Sequence, residues 1–157
     1  MNDVNAGNSI PGTVAYRLGV LGTIAADRFA AAIDPLDLKP KHVGLMAALD
    51  ANTGASQQDL ATRLGVVPSL IVSLADHLER LGAIRRERDA TDRRRQTLAL
   101  TDQGRQLLTT CEQAATEVDA TLTARLTPHQ LQSLQEALAI LATDTLPKNP
   151  LPTPPNP

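Results

Sequence analysis

The sequence predicts a mainly α fold with one two-stranded β-hairpin, and three observations carry this. Apolar residues make up 42% of the 157 positions, yet there is one Tyr, one Phe and no Trp. A core of Leu, Ala, Val and Ile favours packed helices. Apolar positions recur at helical spacing along most of the chain, and the period switches to two only between residues 84 and 100. That interval surrounds a run in which six of the eleven residues from Arg85 to Arg95 are arginine.

The elements follow in order. Residues 1–13 are small and polar and are expected to form a disordered arm. Val14, Leu18, Leu21, Ala25, Phe29 and Ile33 mark a first helix over 14–33, ended by Asp34-Pro35. Pro40 opens a second helix, 40–50, which closes before Asn52-Thr53-Gly54. Ser56 is a good N-cap with Asp59 at the third helical position, so 56–64 reads as a short third helix ending at Gly65. Pro68 suits a first helical position, giving a fourth helix over 68–81, ended by Gly82.

Ile84–Arg88 and Gln96–Leu100 then read as two short strands around a tip at 89–95. Leu98 and Leu100 share one face of the second strand, and Thr97 and Ala99 share the other. Thr101 caps a long helix, 102–126. Thr127-Pro128-His129-Gln130 is a capping box that opens a last helix to about residue 146. Six prolines in 147–157 rule out a helical tail, which is expected to be disordered. The expectation is one domain over 14–146.

Charge sharpens the reading. The chain carries a net charge of −2, but residues 80–95 hold seven arginines and three acids, net +4. The remainder is therefore at −6, and the positive charge is concentrated in one element. Such a patch is the electrostatic footprint of phosphate contact. No apolar run approaches the roughly 18–20 residues needed to span a bilayer. The N-terminus shows no secretion signal, and the single cysteine, Cys111, excludes an internal disulfide, so a cytoplasmic protein is expected. The three histidines, His42, His77 and His129, lie on separate helices. No nucleophile–base pair, metal-ligand spacing or phosphate loop is present, so neither an enzyme nor a cofactor or metal is expected.

A short helix, the turn Gly65-Val66-Val67, a second helix and a basic hairpin in that order make a winged helix-turn-helix. The second helix, 68–81, has a core-facing stripe of Ile71, Leu74, Ala75, Leu78 and Leu81. Its other positions supply candidate DNA contacts at Ser69, Leu70, Val72, Ser73 and His77. Hydroxyls can meet phosphates or base edges, and Leu70 and Val72 suit thymine methyl groups.

The chain resembles the MarR family of bacterial transcription regulators. The resemblance rests on Leu78-Glu79-Arg80-Leu81-Gly82-Ala83-Ile84, Asp89-Ala90-Thr91-Asp92-Arg93-Arg94 and Leu98-Ala99-Leu100-Thr101-Asp102-Gln103-Gly104. The family's wing signature is present in full, and the helical order matches over 14–145. One departure is that relatives place polar or basic residues at several positions held here by Val67, Leu70 and Val72.

The resemblance implies a homodimer in which the terminal helices, 14–33 and 102–146, interlock. It also implies a regulator, expected to be a repressor, that binds double-stranded DNA at a pseudo-palindromic operator. Arg93 is implied to enter the minor groove and Arg94 to pair with Asp76. Arg86, Arg88 and Arg95 are the candidate phosphate contacts. A small anionic or aromatic effector is implied between the dimer helices and the DNA-binding part, with Tyr16, Arg17, His42 and Met46 as candidate lining. Cys111, in the apolar seam of the long helix, reads as a small hydrophobe rather than a redox sensor. The competing reading is a winged-helix module that binds protein instead of DNA; the arginine tip argues against it.

Overall fold

The computed structural model describes residues 9–51, 55–88 and 96–145. Its elements are α1 (Val14–Ile33), α2 (Pro40–Ala51), β1 (Ala55–Ser56), α3 (Gln57–Leu64), α4 (Pro68–Arg80), β2 (Ile84–Arg88), β3 (Gln96–Leu100), α5 (Asp102–Thr123) and α6 (Pro128–Thr145). Among the described residues, no helix is long and apolar enough to cross a membrane.

The hairpin strands fall where the period of two placed them, pairing Ile84 with Leu100 and Arg88 with Gln96. The sheet, however, has three strands in the order β1-β3-β2. Ala55 and Ser56 pair with Leu98 and Thr97, a two-residue strand too short to show any periodicity. This addition makes β3 central. Thr97, Leu98, Ala99 and Leu100 are consequently all buried, instead of showing one covered and one open face.

The core gathers Ile33 from the end of α1, Leu45, Met46 and Leu49 from α2, and Leu60 from α3. Ile71, Leu74 and Leu78 of α4, Leu98 of β3, and Leu108 and Cys111 of α5 complete it. Burial raises the pKa of the Cys111 thiol, with the Glu112 charge adding to the effect, so the thiolate is disfavoured. The expected seam on α5 is buried at Leu108 and Cys111 and half-covered at Val118 and Leu122. Ala115 is exposed and its neighbour Ala114 packs instead. The helix also ends earlier, at Thr123, where Leu126 N–H turns back to the Thr123 carbonyl.

Residues 9–13, expected to belong to a disordered arm, form a short 3-10 turn over Ile10–Gly12. Thr13 then caps α1 by accepting from Tyr16 N–H. Residues 1–8 and 146–157 lie outside the described residues.

Most helix ends are capped by side chains or by left-handed glycines. Ser56 and Asp59 form a reciprocal capping box at α3, and Thr127 and Gln130 form one at α6. At α2, the His42 ring takes the capping role, its Nδ1 accepting from Lys39 N–H at 2.9 Å. Both α3 and α4 stop at a glycine in the left-handed region, Gly65 (φ 63) and Gly82 (φ 69). In each case the next amide reaches back into the last turn: Val66 N–H to Ala61, and Ala83 N–H to Leu78.

Beyond Gly82 three elements meet. Thr101 N–H donates to the Ala83 carbonyl at 3.0 Å. The Thr101 hydroxyl lies 2.6 Å from the Gly82 carbonyl and accepts from Gly104 N–H at 3.0 Å. A Cβ on Gly104 would stand 2.0 Å from the Ala83 carbonyl oxygen, so only glycine fits there. Gly104→Ala is expected to lower stability by about 2–3 kcal/mol, as overpacking against backbone does. Urea unfolding checks this, and an unchanged midpoint would mean that the α5 start is not clamped.

His42 gives a pH-dependent expectation. Its pKa is lowered, first by burial and then by the neighbouring His77. A lowered histidine pKa adds stability above the unfolded value, about 6.5, and that stability is lost as pH falls through the folded value. Protonation also removes the acceptor that caps Lys39 N–H. The fall in urea midpoint from about pH 7.5 to about pH 5.5 is expected to be smaller in His42→Gln than in the parent. Identical falls would show that His42 is not the linked group.

Candidate nucleic-acid interface

The sequence supplies α4 with a one-sided pattern, and the fold uses it. Ile71, Leu74, Ala75 and Leu78 are buried, which turns Ser69, Val72, Ser73 and Asp76 outward along one face. Leu70 is half-buried and packs against the core cluster, so its flank points inward more than Val72 does. Val67, in the turn before the helix, is 64% exposed. The surface of the first two turns of α4 is therefore hydroxyl and apolar, without charge before Asp76.

Wing and helix are joined by charge. Arg86, on β2, forms ion pairs with both Asp76 and Glu79 of α4. The Arg86 side chain is only 23% exposed, and the hydrogen bond it donates to Asp76 is the main reason its pKa is raised further. Asp76 and Glu79 are three residues apart, so both carboxylates face the strand. Arg86, expected from the sequence to contact phosphate, is instead an internal bridge, with two acids already holding its donors. The expected partner of Asp76, Arg94, lies outside the described residues, as do Arg93 and Arg95. Nothing in the local sequence pattern marked Arg86 over its neighbours; its pairing follows from the strand register, which puts it opposite Leu98. Next to it, Arg85 pairs with Glu87 at 2.5 Å across the exposed strand. Arg88 is exposed at the end of β2.

His77 does not share the outward face. Its ring stacks on His42, with centroids 4.4 Å apart and planes 10° from parallel. Nε2 lies 2.7 Å from the Asp37 carbonyl oxygen, and Nδ1 lies 3.2 Å from Arg80 Nη2. A carbonyl only accepts and a guanidinium only donates, so the geometry suits a proton on Nε2 and an acceptor at Nδ1. Both ring nitrogens are committed, and His77 docks α4 onto the turn between α1 and α2 instead of reaching toward DNA. Asp37 presents its carbonyl there from a left-handed backbone, φ 56.

The four effector candidates are placed in different settings. Met46 is fully buried in the core, and His42 is half-buried in the histidine stack. Tyr16 and Arg17 are exposed on the first turn of α1, with Arg17 Nε donating to the Pro11 carbonyl at 3.2 Å. Met46 cannot touch a ligand without a rearrangement of the core. Among the described residues, no cluster of three or more His, Cys, Asp or Glu is arranged to hold a metal ion.

Known proteins share this arrangement. The MarR family model matches residues 36–95, the segment from the turn before α2 to the end of the wing tip, just before β3. A Thauera aromatica protein described as a candidate transcriptional regulatory protein for the hcr operon is 38% identical over 122 residues, 74% of each chain. The HTH-type transcriptional repressor Rv2887 of Mycobacterium tuberculosis is 28% identical over 131 residues, 83% of this chain and 94% of the repressor. Among solved structures, the transcriptional repressor CouR bound to a 23-mer DNA duplex superposes with a TM-score of 0.73. It is 31% identical, covering 87% of this chain and 96% of CouR. The family match over the helix-turn-helix and wing, together with these relatives, shows that the chain belongs to the MarR family.

Proposed function

We propose that this chain is a homodimeric, sequence-specific DNA-binding transcription regulator acting as a repressor at a pseudo-palindromic operator. One observation carries the reading: the Arg86 bridge fixes a basic wing, through Asp76 and Glu79, to the helix whose outward Ser69, Val72 and Ser73 are free to enter a major groove. Such a helix and wing form one unit, and two units about one helical turn apart suit a two-fold operator.

The terminal helices support the dimer. Val14, Leu18, Val20, Leu21 and Ile24 of α1 and Leu134, Leu138, Ile140 and Leu141 of α6 are exposed in the single chain. Apolar surface of this extent on two long helices is characteristic of an association face. In this reading Arg93 enters the minor groove, while Arg88 and Arg95 meet phosphates. Arg94 then adds to the charge that Arg86 places against Asp76. CouR has also been solved bound to p-coumaroyl-CoA. For this chain the corresponding proposal is a small anionic or aromatic effector that favours a dimer whose wings are wrongly spaced for DNA.

The direct experiment is selection of duplexes from a random pool by the purified protein at two salt concentrations. A palindromic motif is expected, with log affinity falling by roughly 0.9 per neutralised phosphate for each unit of log salt. Failure to retain any duplex at low salt would overturn the proposal and favour a protein-binding winged helix. On the recovered operator, Arg93→Ala is expected to weaken binding about tenfold or more, consistent with loss of a minor-groove arginine. Equal affinity would reject that assignment.

Arg86 gives a separate expectation. Arg86→Ala strands two carboxylates on the DNA-facing helix, where they repel phosphate. Binding is expected to fall about tenfold, and adding Asp76→Asn and Glu79→Gln is expected to recover much of it. Affinity measured by fluorescence anisotropy checks both steps. No recovery would mean that Arg86 contacts DNA itself.

A further inference from the structure

From Val66 to Ala75 the chain reads Val-Val-Pro-Ser-Leu-Ile-Val-Ser-Leu-Ala. None of the side chains that make paired hydrogen bonds to purines in the major groove, Arg or Lys on guanine and Asn or Gln on adenine, occurs in it. Neither does a carboxylate to accept from cytosine. The first charged group on α4 is Asp76, and Arg86 already holds it.

Burial divides what remains. Ile71, Leu74 and Ala75 are buried, and Val66 and Leu70 are half-buried against the core. Val67, Pro68, Ser69, Val72 and Ser73 are exposed. Positions 69, 72, 73 and 76 share one helix face by their spacing of three and four. Val72, 39% exposed, lies at the centre of that stripe with a serine on either side. A branched apolar side chain at the centre of a groove-facing stripe has one strong partner among base edges, the C5-methyl of thymine.

We propose that Val72 is a specificity-determining residue that reads a thymine C5-methyl in each half-site, with Val67 as a second apolar contact at the start of the helix. This rests on the proposed entry of α4 into the major groove. Leu70, the other apolar candidate on this helix, is turned toward the core. Ser69 and Ser73 hydrogen-bond to either base edges or phosphates and add little discrimination by themselves. The operator is therefore distinguished at its α4 contacts by the positions of thymine methyl groups, not by a purine-reading fork.

The experiment uses the full-length protein and the operator recovered by selection, synthesised with thymine or with uracil at each half-site position. Uracil keeps every hydrogen-bonding group of thymine and lacks only the methyl. Loss of one buried methyl is expected to lower affinity roughly fourfold, and loss of the symmetric pair about fifteenfold. Val72→Ser is expected to weaken binding to the thymine operator and to abolish the thymine–uracil difference at one symmetric pair of positions. Val72 is exposed, so the variant is expected to fold, and its melting transition verifies this. Equal binding of thymine and uracil operators, with the operator still preferred over unselected DNA, would overturn the methyl inference and leave DNA binding intact. Persistence of the difference in Val72→Ser would assign the methyl to another residue and overturn the role of Val72. Failure of every duplex to bind would overturn the groove placement on which both rest.

Discussion

The contact between Gly82-Ala83 and Thr101-Gly104 sets the geometry of the DNA-facing half. Here the recognition helix stops, the wing departs and returns, and the long α5 begins. Gly82 adopts a left-handed backbone, which lets Ala83 N–H reach the Leu78 carbonyl and end α4. The Ala83 carbonyl then turns to meet Thr101 N–H, while the Thr101 hydroxyl caps α5 through Gly104 N–H. Gln103 adds a fourth tie, donating from Nε2 to the Leu81 carbonyl at 3.0 Å. Four short-range constraints thus fix three elements whose relative angles decide whether wing and helix address one duplex.

Charge performs a second fixing step, further along the wing. An arginine-rich hairpin beside an acid-bearing helix has two uses for its positive charge, internal pairing and phosphate contact. Arg86 belongs to the first class, because its register on β2 places it over Asp76 and Glu79. Without that cation, two carboxylates on the DNA-facing helix would oppose the phosphates. Asp76 and Glu79, beside the arginine cluster, are therefore part of the arrangement that positions the wing. Exposed ion pairs contribute little stability, so the value of this bridge lies in orientation.

Much of the fold was legible in the sequence because its signals are local. Pro68 and Gly82 bracket α4, Thr127 and Gln130 cap α6, and the alternation in 96–100 marks β3. The two-residue β1 was not legible, since pairing with Leu98 and Thr97 is non-local and leaves no period. The α5 seam missed at one position, where Ala114 packs and Ala115 does not, because alanines at adjacent positions give the pattern no direction. At the site, the outward face of α4 followed from its spacing. The roles of Arg86 and His77 did not, because each depends on a partner supplied by tertiary structure: Glu79 and Asp76 for one, Asp37 and His42 for the other. His77 looked outward on a helical wheel, but a flank position can turn either way, and the Asp37 carbonyl decides it.

A crystal structure of the dimer on its selected operator tests the central claim, that α4 and the wing engage DNA as one locked unit. The expected result is α4 in the major groove with Val72 within about 4 Å of a thymine methyl. The Ala83–Thr101 hydrogen bond and the Arg86 bridge should be unchanged from the unbound chain. A complex in which Arg86 leaves Asp76 and Glu79 for a phosphate, or in which α4 stands outside the groove, would contradict it.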